Sequence, residues 1–364
     1  MKLVCIIDHG HYGGATQMLV WVANKMMEKG HDVKFLTFCS SVDFRGLGIS
    51  EEMFIDFDFE ERTATRKRKL CENISLIKKY RKFIKKEKPD FVLNFGDHSF
   101  YLGLLFRRFY KYKYIISERV DPNYSRGKND VVRRFLYNFA DGCIFQTEAA
   151  KSFFSKRLQD KSEVIFNPVK TKTEKFWTNR KTKKIISIGR LDFFQKRLDV
   201  LLEAFVIFHK KFPDYVLDIY GTGSEKDEKR LDELLLQYRL KHCVNLKGYT
   251  SNPIEALLTG EMFVMTSDFE GIPNTLIEAL SIGMPVVATD CSPGGARLLL
   301  ESLPERHLSQ RGDVNGIASM MAEIASDEKT ALADAKSLRE ALNQFSEDKI
   351  SSQWTEAFEK WSLT

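Results

Sequence analysis

Paired cysteines are missing from this chain. Its six, Cys5, Cys39, Cys71, Cys143, Cys243 and Cys291, include no C-x2-C pair. A zinc ribbon or a disulfide scaffold is therefore not expected, and a reducing compartment is. No apolar run approaches the roughly 20 residues of a membrane-spanning helix. No G-x4-G-K-[ST] loop occurs, so a P-loop nucleotidase is excluded. The first turn, DHGHYGGA, sets Gly10, Gly13 and Gly14 off the G-x-G-x-x-G spacing, and no acidic residue ends the second strand. A nicotinamide dinucleotide site is not expected there. The start, Met1-Lys2 followed by the five apolar residues LVCII, is shorter than the about 7–15 residues of a secretory core, so the expectation is a cytoplasmic protein.

What is present suits a folded chain of two domains. Of 364 residues, 43% are hydrophobic and 12% aromatic, enough for packed cores and too many for disorder. The net charge of +6 is uneven: residues 1–170 carry 31 basic and 21 acidic residues, while the remainder is net negative. Between Arg62 and Lys88 there are 12 basic residues, opposed only by Glu72 and Glu87. A second stretch, Arg107 to Tyr114, mixes basic and aromatic residues. Three readings of this charge compete: a solvated helix face, an anionic membrane surface and nucleic acid. Ile74, Ile77 and Ile84 at near-helical spacing beneath the Lys/Arg face suit a membrane surface. No nucleic-acid module accompanies the charge, so nucleic acid ranks lowest.

Short apolar runs alternate with helical patterns. Strands are expected at Leu3–Ile7, Asp32–Phe38, Phe91–Phe95, Tyr114–Ser117, Gly142–Gln146 and Val164–Phe166. Helices are expected at Ala15–Lys29, Ser75–Lys88 and Glu148–Arg157. A polar stretch, Asn167–Thr182, interrupts the pattern, which restarts with strand Lys184–Ile188 and helix Arg197–Phe212. It continues through strand Met262–Thr266 and helix Asn274–Gly283. The spacing predicts an α/β fold of two Rossmann-like parallel-sheet domains facing across a cleft, with ligands beyond the carboxyl ends of the strands. The boundaries read as 1–168, a linker 169–182, 183–347, and a final helix 348–364. That helix carries Trp354, Phe358 and Trp361 on one face, expected to pack on a domain surface, with a crossing back to the first domain left open.

Two segments carry candidate chemistry. In SIGRLDFFQKR, Arg190 and Lys196 leave the carboxyl end of a strand, where a guanidinium and an ammonium suit a diphosphate. In TSDFEGIPNTLIE, Glu270 and Glu278 flank Gly271, Ile272, Pro273 and Asn274. Pro273 suits the first position of a helix whose free amides favour an anion. The two carboxylates suit sugar or ribose hydroxyls. No Asp-x-Asp metal pair is expected in a strand-end loop.

Together these pieces resemble the retaining glycosyltransferases of GT-B fold known as family 4. The resemblance rests on Gly13-Gly14-Ala15, the Gly189, Arg190 and Lys196 set, Gly221-Thr222-Gly223 and the Glu270/Glu278 pair. ISERVDP at Ile116–Pro122, VIFNPV and VVATDCSPGGAR at Val286–Arg297 add to it. Departures are Thr16 and Gln17 after the first glycines and Leu298–Leu300 after Arg297. Within the family the chain is most similar to bacterial enzymes that extend lipid-linked or surface polysaccharides.

The resemblance implies a UDP-sugar donor, no metal and no cofactor. It implies that Arg190 and Lys196 grip the diphosphate, Glu270 the sugar and Glu278 the ribose. The base would lie near Gly248 and Tyr249. Backbone at Gly271–Asn274 and Gly13–Gly14 would close on phosphate and sugar. His98, after the fourth strand, stands near a family histidine; like His9 and His11, it also reads as a polar surface residue. The implied partners are a lipid-linked or glycan acceptor and an anionic inner leaflet reached through Arg62–Lys88. The rival expectations are another GT-B activity, such as an epimerase or phosphorylase, and a non-catalytic sugar-nucleotide, membrane or nucleic-acid binding module.

Overall fold

A computed structural model describes residues 1–7, 14–37, 48–57, 70–95, 100–119, 121–122, 128–169, 175–178, 181–301 and 307–363. The chain forms two compact units. One holds Met1–Arg119, Ser125–Asn167 and Ile350–Thr364; the other holds Val120–Tyr124 and Pro168–Lys349.

The first unit is a seven-stranded parallel sheet in the order β3-β2-β1-β4-β5-β6-β7. Its strands are β1 (Lys2–Ile7), β2 (Asp32–Thr37), β3 (Phe54–Asp56), β4 (Phe91–Asn94), β5 (Lys113–Ser117), β6 (Gly142–Phe145) and β7 (Ser162–Val164). Its helices are α1 (Gly14–Glu28), α2 (Leu70–Glu87), α3 (Phe100–Tyr110), α4 (Lys128–Tyr137), α5 (Glu148–Ser152) and α6 (Lys156–Gln159). The strands read as unbroken apolar runs because both faces are covered. Leu3 and Cys5 point into one core with α1, whereas Val4 and Ile6 point into the other with α2, α3 and α4.

The second sheet has the order β10-β9-β8-β11-β12-β13. Its strands are β8 (Lys184–Ile188), β9 (Val216–Tyr220), β10 (Val244–Gly248), β11 (Met262–Met265), β12 (Val286–Thr289) and β13 (Leu308–Ser309). The helices are α7 (Leu198–Lys211), α8 (Glu225–Gln237), α9 (Pro253–Leu257), α10 (Asn274–Ser281), α11 (Gly295–Leu300), α12 (Val314–Ser326) and α13 (Glu328–Ala341). In both sheets the strand order reverses beside the first strand, and the crevice outside those carboxyl ends is where such sheets bind ligands.

A last helix, α14 (Glu347–Ser362), packs on the first sheet. Its Phe358 ring meets Phe91 edge-on at 5.1 Å, and Trp361 Nε1 donates to the Lys161 carbonyl at 3.2 Å.

The structure corrects several expectations. Ile84 is fully buried with Leu76, Tyr80 and Phe83 in the sheet core, and Ile77 packs against the same core. Of the three isoleucines only Ile74 is exposed, so among the described side chains α2 presents no apolar face for a membrane. Lys78, Lys82, Lys85 and Lys86 line its solvent side. Residues 62–69 of the basic segment lie outside the described residues. The helix expected over Glu148–Arg157 is two short helices, because Ser155 takes extended backbone at φ −62°, ψ 149° and starts a new one.

Asp56 closes β3 and Asp58 follows two residues on, so an Asp-x-Asp spacing does occur at a strand end. It sits in the unit that does not carry Arg190, Lys196 and Glu270. Within the expected linker, Trp177 is buried and donates from Nε1 to the Gly260 carbonyl at 2.9 Å.

Candidate active site

The second unit gathers its polar side chains beyond the carboxyl ends of β8 and β11. Strand β8 hands over to a loop that Asp192 shapes, its Oδ1 accepting from the amides of Phe194 at 2.7 Å and Gln195 at 2.8 Å. The loop ends at Arg197, whose backbone is left-handed at φ 51°. A non-glycine residue there costs about 1–3 kcal/mol unless its surroundings hold it. They do: the guanidinium donates to both oxygens of Asp199 and to Asp268 Oδ2 at 2.9 Å, and Thr266 Oγ1 donates to the Arg197 carbonyl at 3.1 Å. Hydrogen bonds to Asp199 and Asp268 outweigh burial and raise the Arg197 pKa further above its already high ordinary value.

This turn aims Lys196. Its Nζ lies 2.5 Å from Glu270 Oε1, with the side chains 21% and 12% exposed. Gly189 makes room for it: a Cβ there would come within 3.2 Å of Lys196 Cε. Ser267 Oγ also donates to Glu270 Oε1, at 2.9 Å, and the Glu270 amide donates to the Ser292 carbonyl at 2.8 Å. Arg190 is 63% exposed and reaches Asp192 Oδ2 at 3.1 Å and Gln195 Oε1 at 2.8 Å. Gln195 in turn donates to the Phe269 carbonyl at 3.1 Å, so the two segments are bonded side chain to backbone.

Beyond Glu270, Gly271 and Ile272 lead to Pro273. The structure places Pro273 at the cap position of α10 rather than at its first position, and Asn274 opens the helix as the expected span Asn274–Gly283 has it. Its fixed φ, −74° here, suits either position. Helix α10 opens with no side-chain cap, whereas Ser224 caps α8 and Asn252 caps α9. Gly271 is overlain by Gly295, where any Cβ would stand 2.0 Å from the Gly271 carbonyl oxygen. That contact accounts for the second glycine of SPGGAR. Beside Glu270, burial and then the Glu270 charge push the Cys291 thiol up to about 12, so it stays protonated and is no nucleophile at neutral pH.

Arg190, Lys196 and Glu270 are thus brought into one bonded network, and Gly271–Asn274 continue from it. Glu278 lies on the second turn of α10, half-buried. Gly248 ends β10 and accepts from the Gly221 amide at 2.8 Å, and Tyr249 after it is 73% exposed. Gly14 opens α1 in the other unit. Gly13, His9, His11 and His98 lie outside the described residues. Sequence reasoning missed Asp192, Gln195, Arg197, Ser267 and Asp268, which hold the network. Only the polar density of the two segments could have suggested them.

One group of described residues could hold a metal ion. A ligand atom from each of His209, His242 and Cys243 lies within 4.8 Å of the others. His209 closes α7 and Cys243 precedes β10, so the group sits at the amino end of the sheet, away from Lys196 and Glu270.

A sequence profile for "Glycosyl transferases group 1" matches residues 169–344, and one for "Glycosyltransferase Family 4" matches residues 12–173. The chain belongs to the GT-B glycosyltransferases. This glycosyltransferase is 23% identical over 352 residues to an uncharacterized glycosyltransferase of Haemophilus influenzae, covering 96% of this chain and 97% of that one. It is 29% identical over 235 residues to the N-acetylgalactosamine-N,N'-diacetylbacillosaminyl-diphospho-undecaprenol 4-alpha-N-acetylgalactosaminyltransferase of Campylobacter jejuni, covering 60% of this chain and 63% of that one. Its fold matches that of Anabaena HepE crystallised with UDP-glucose, at a TM-score of 0.82 over 99% of this chain and 100% of that one, at 18% identity. The bonded network of the glycosyltransferase lies wholly inside the first profile's span.

Proposed function

We propose that this glycosyltransferase moves a hexose or N-acetylhexosamine from a UDP-sugar, with retention, to a lipid-linked or polysaccharide acceptor in bacterial surface glycan synthesis. The observation that carries the reading is the Lys196–Glu270 pair beside Arg190, at the strand ends where such sheets bind ligands. Lys196 and Arg190 take the diphosphate, and the uncapped start of α10 with the backbone of Gly271–Asn274 adds its dipole. Glu270 holds hydroxyls of the donor sugar, Glu278 the ribose, and the base rests near Gly248 and Tyr249.

These fixed cations offset the charge that develops on the leaving UDP. That is why a divalent ion is not required. Attack on the same face that UDP leaves gives retention without a protein nucleophile. The Anabaena neighbour's UDP-glucose supports the choice of donor, and the Campylobacter relative's undecaprenol diphosphate supports the choice of acceptor.

Among the described residues no helix is long and apolar enough to cross a membrane. We read the protein as peripheral on the cytoplasmic face, drawn to anionic lipid by the basic segment Arg62–Lys88.

The test is slow donor hydrolysis without acceptor, across a panel of UDP- and GDP-sugars. One or a few UDP-sugars should be consumed, and the Lys196→Ala variant should consume them more slowly. Consumption of GDP-sugars alone overturns the donor assignment, and consumption of none overturns the transferase site.

A further inference from the structure

The exposed apolar surface of the first unit is not where its charge is densest. Of fourteen exposed large hydrophobic side chains among the described residues, six lie on α3, on α4 and just after it: Leu105, Phe109, Val131, Val132, Phe135 and Phe139. Phe109 is 76% and Phe135 63% exposed. Leu105 and Phe109 are four residues apart, as are Val131 and Phe135, so each pair shares a helix face. The two helices meet at a groove of ≈ 450 Å³ lined by Leu104, Leu105, Arg108, Phe139, Arg157 and Lys161, among others. Phe135 and Phe139 touch edge to face at 5.5 Å, and Arg107 donates to the Phe139 carbonyl.

Folding does not require these six to be outside. Tyr137 and Phe106 already fill the inward faces of the same helices, buried in the sheet core.

The rim of the crest is cationic. Arg108 and Lys111 are exposed beside Phe109. The Arg157 guanidinium lies 5.6 Å from the Phe139 ring centre. The nearby carboxylate of Asp141 is already matched by Arg107 at 3.2 Å. Helix α2 lies next to α3, with Arg81 Nε donating to the Tyr110 hydroxyl at 3.0 Å and the Tyr80 and Phe106 rings 5.8 Å apart. The lysines of α2 therefore share this side of the sheet. Apolar side chains ringed by Lys and Arg match the layering of an anionic leaflet, phosphate outside and acyl chains within. A second copy of the chain would bring two cationic rims together and is disfavoured.

We propose that the α3–α4 crest, led by Leu105, Phe109 and Phe135, inserts into an anionic lipid leaflet while the lysines of α2 supply only its long-range attraction. The proposal rests on the reading of a membrane-presented acceptor for its purpose, but its test does not pass through donor chemistry.

The experiment is flotation with phosphatidylglycerol-containing and with purely zwitterionic vesicles. Wild type, the triple variant Leu105→Ser/Phe109→Ser/Phe135→Ser, and a variant with Lys78, Lys82, Lys85 and Lys86 changed to Gln are compared. Wild type should bind the anionic vesicles and keep part of that binding in about 0.5 M NaCl, where the Debye length is only a few Å. The triple variant should partition on the order of 100-fold more weakly, from the apolar area no longer buried, and salt should release the remainder. The lysine variant should lose binding at low salt yet keep the salt-resistant part.

The proposal is overturned if the triple variant floats like wild type, if wild type ignores anionic vesicles, or if wild type is a dimer that the triple variant splits. Should the triple variant fail to fold, Phe109→Trp with brominated lipids decides: quenching beyond that of wild type supports insertion, and quenching equal to wild type refutes it. Donor hydrolysis is scored separately. Its failure in wild type would sink the transferase site and leave the flotation result standing.

Discussion

Glu270→Gln is the most informative single change at the site. The Glu270 carboxylate holds the Lys196 ammonium at 2.5 Å. If Lys196 binds the donor diphosphate, it must loosen that contact first. With the side chains 21% and 12% exposed, desolvation cancels most of the Coulomb term, and the net contribution is about 1–2 kcal/mol. Glutamine keeps the shape and can still accept from Ser267, but it removes the competing charge. UDP alone should therefore bind about 5- to 30-fold more tightly to Glu270→Gln than to wild type. UDP-sugar turnover should move the opposite way, falling about 10- to 100-fold, because the sugar hydroxyls lose a charged acceptor. Lys196→Ala should weaken both, by about 1.5–3 kcal/mol for UDP. Calorimetry with UDP and steady-state consumption of the UDP-sugar separate the two effects. UDP affinity unchanged or weakened in Glu270→Gln would refute the idea that this carboxylate holds Lys196 in reserve.

Two further outcomes are expected. Donor consumption should survive EDTA, since Arg190, Lys196 and α10 supply the positive charge; a strict Mn²⁺ or Mg²⁺ requirement would count against that assignment. In the first unit Glu87 is buried, and burial alone would raise its pKa, but Lys2 at 2.8 Å and Lys34 at 2.9 Å outweigh this and hold the carboxyl below its ordinary 4.5. A carboxyl lowered by folding contributes stability above that ordinary value and loses it as pH falls through the folded value. Glu87→Gln should therefore cost about 2 kcal/mol at neutral pH and flatten the acid limb of the melting curve; an acid limb unchanged from wild type would contradict the pairing.

Much of the fold was legible because parallel strands buried on both faces must be short apolar runs, and LVCII, FVLN and MFVM are such runs. The candidate segments were legible because Arg190, Lys196 and Glu270 stand in polar runs that directly follow apolar strands. What stayed hidden has physical causes. Helices α3 and α4 carry apolar residues on both sides, some for the core and some for solvent, so no single stripe marks them. Ile84 shares a helix with six cations, yet the sheet core claims it. The pairing of Arg197 with Asp268 spans 71 positions, and no local pattern records such a contact. Pro273 slipped by one place because its fixed φ is compatible with both the cap and the first helical turn.

The three cations of the β8 loop share one property that the sequence could not reveal. Arg190 is matched by Asp192, Lys196 by Glu270, and Arg197 by Asp199 and Asp268. The unit that carries them is net negative overall, so a diphosphate is not drawn in by a broad positive field. If the proposed diphosphate binds here, its recognition works by exchange of partners at short range. Arg197 does not take part in that exchange: two carboxylates fix it, and it holds the turn. Arg190 is exposed and held only at the loop's edge, so it can swing to a phosphate at small cost. Lys196 lies between these limits. On the proposed donor site, its release would free the Glu270 carboxylate to accept from hydroxyls as the ammonium meets phosphate. The same ion pair can therefore couple capture of the diphosphate to grip on the sugar. That coupling favours a ligand presenting both groups over one presenting either alone.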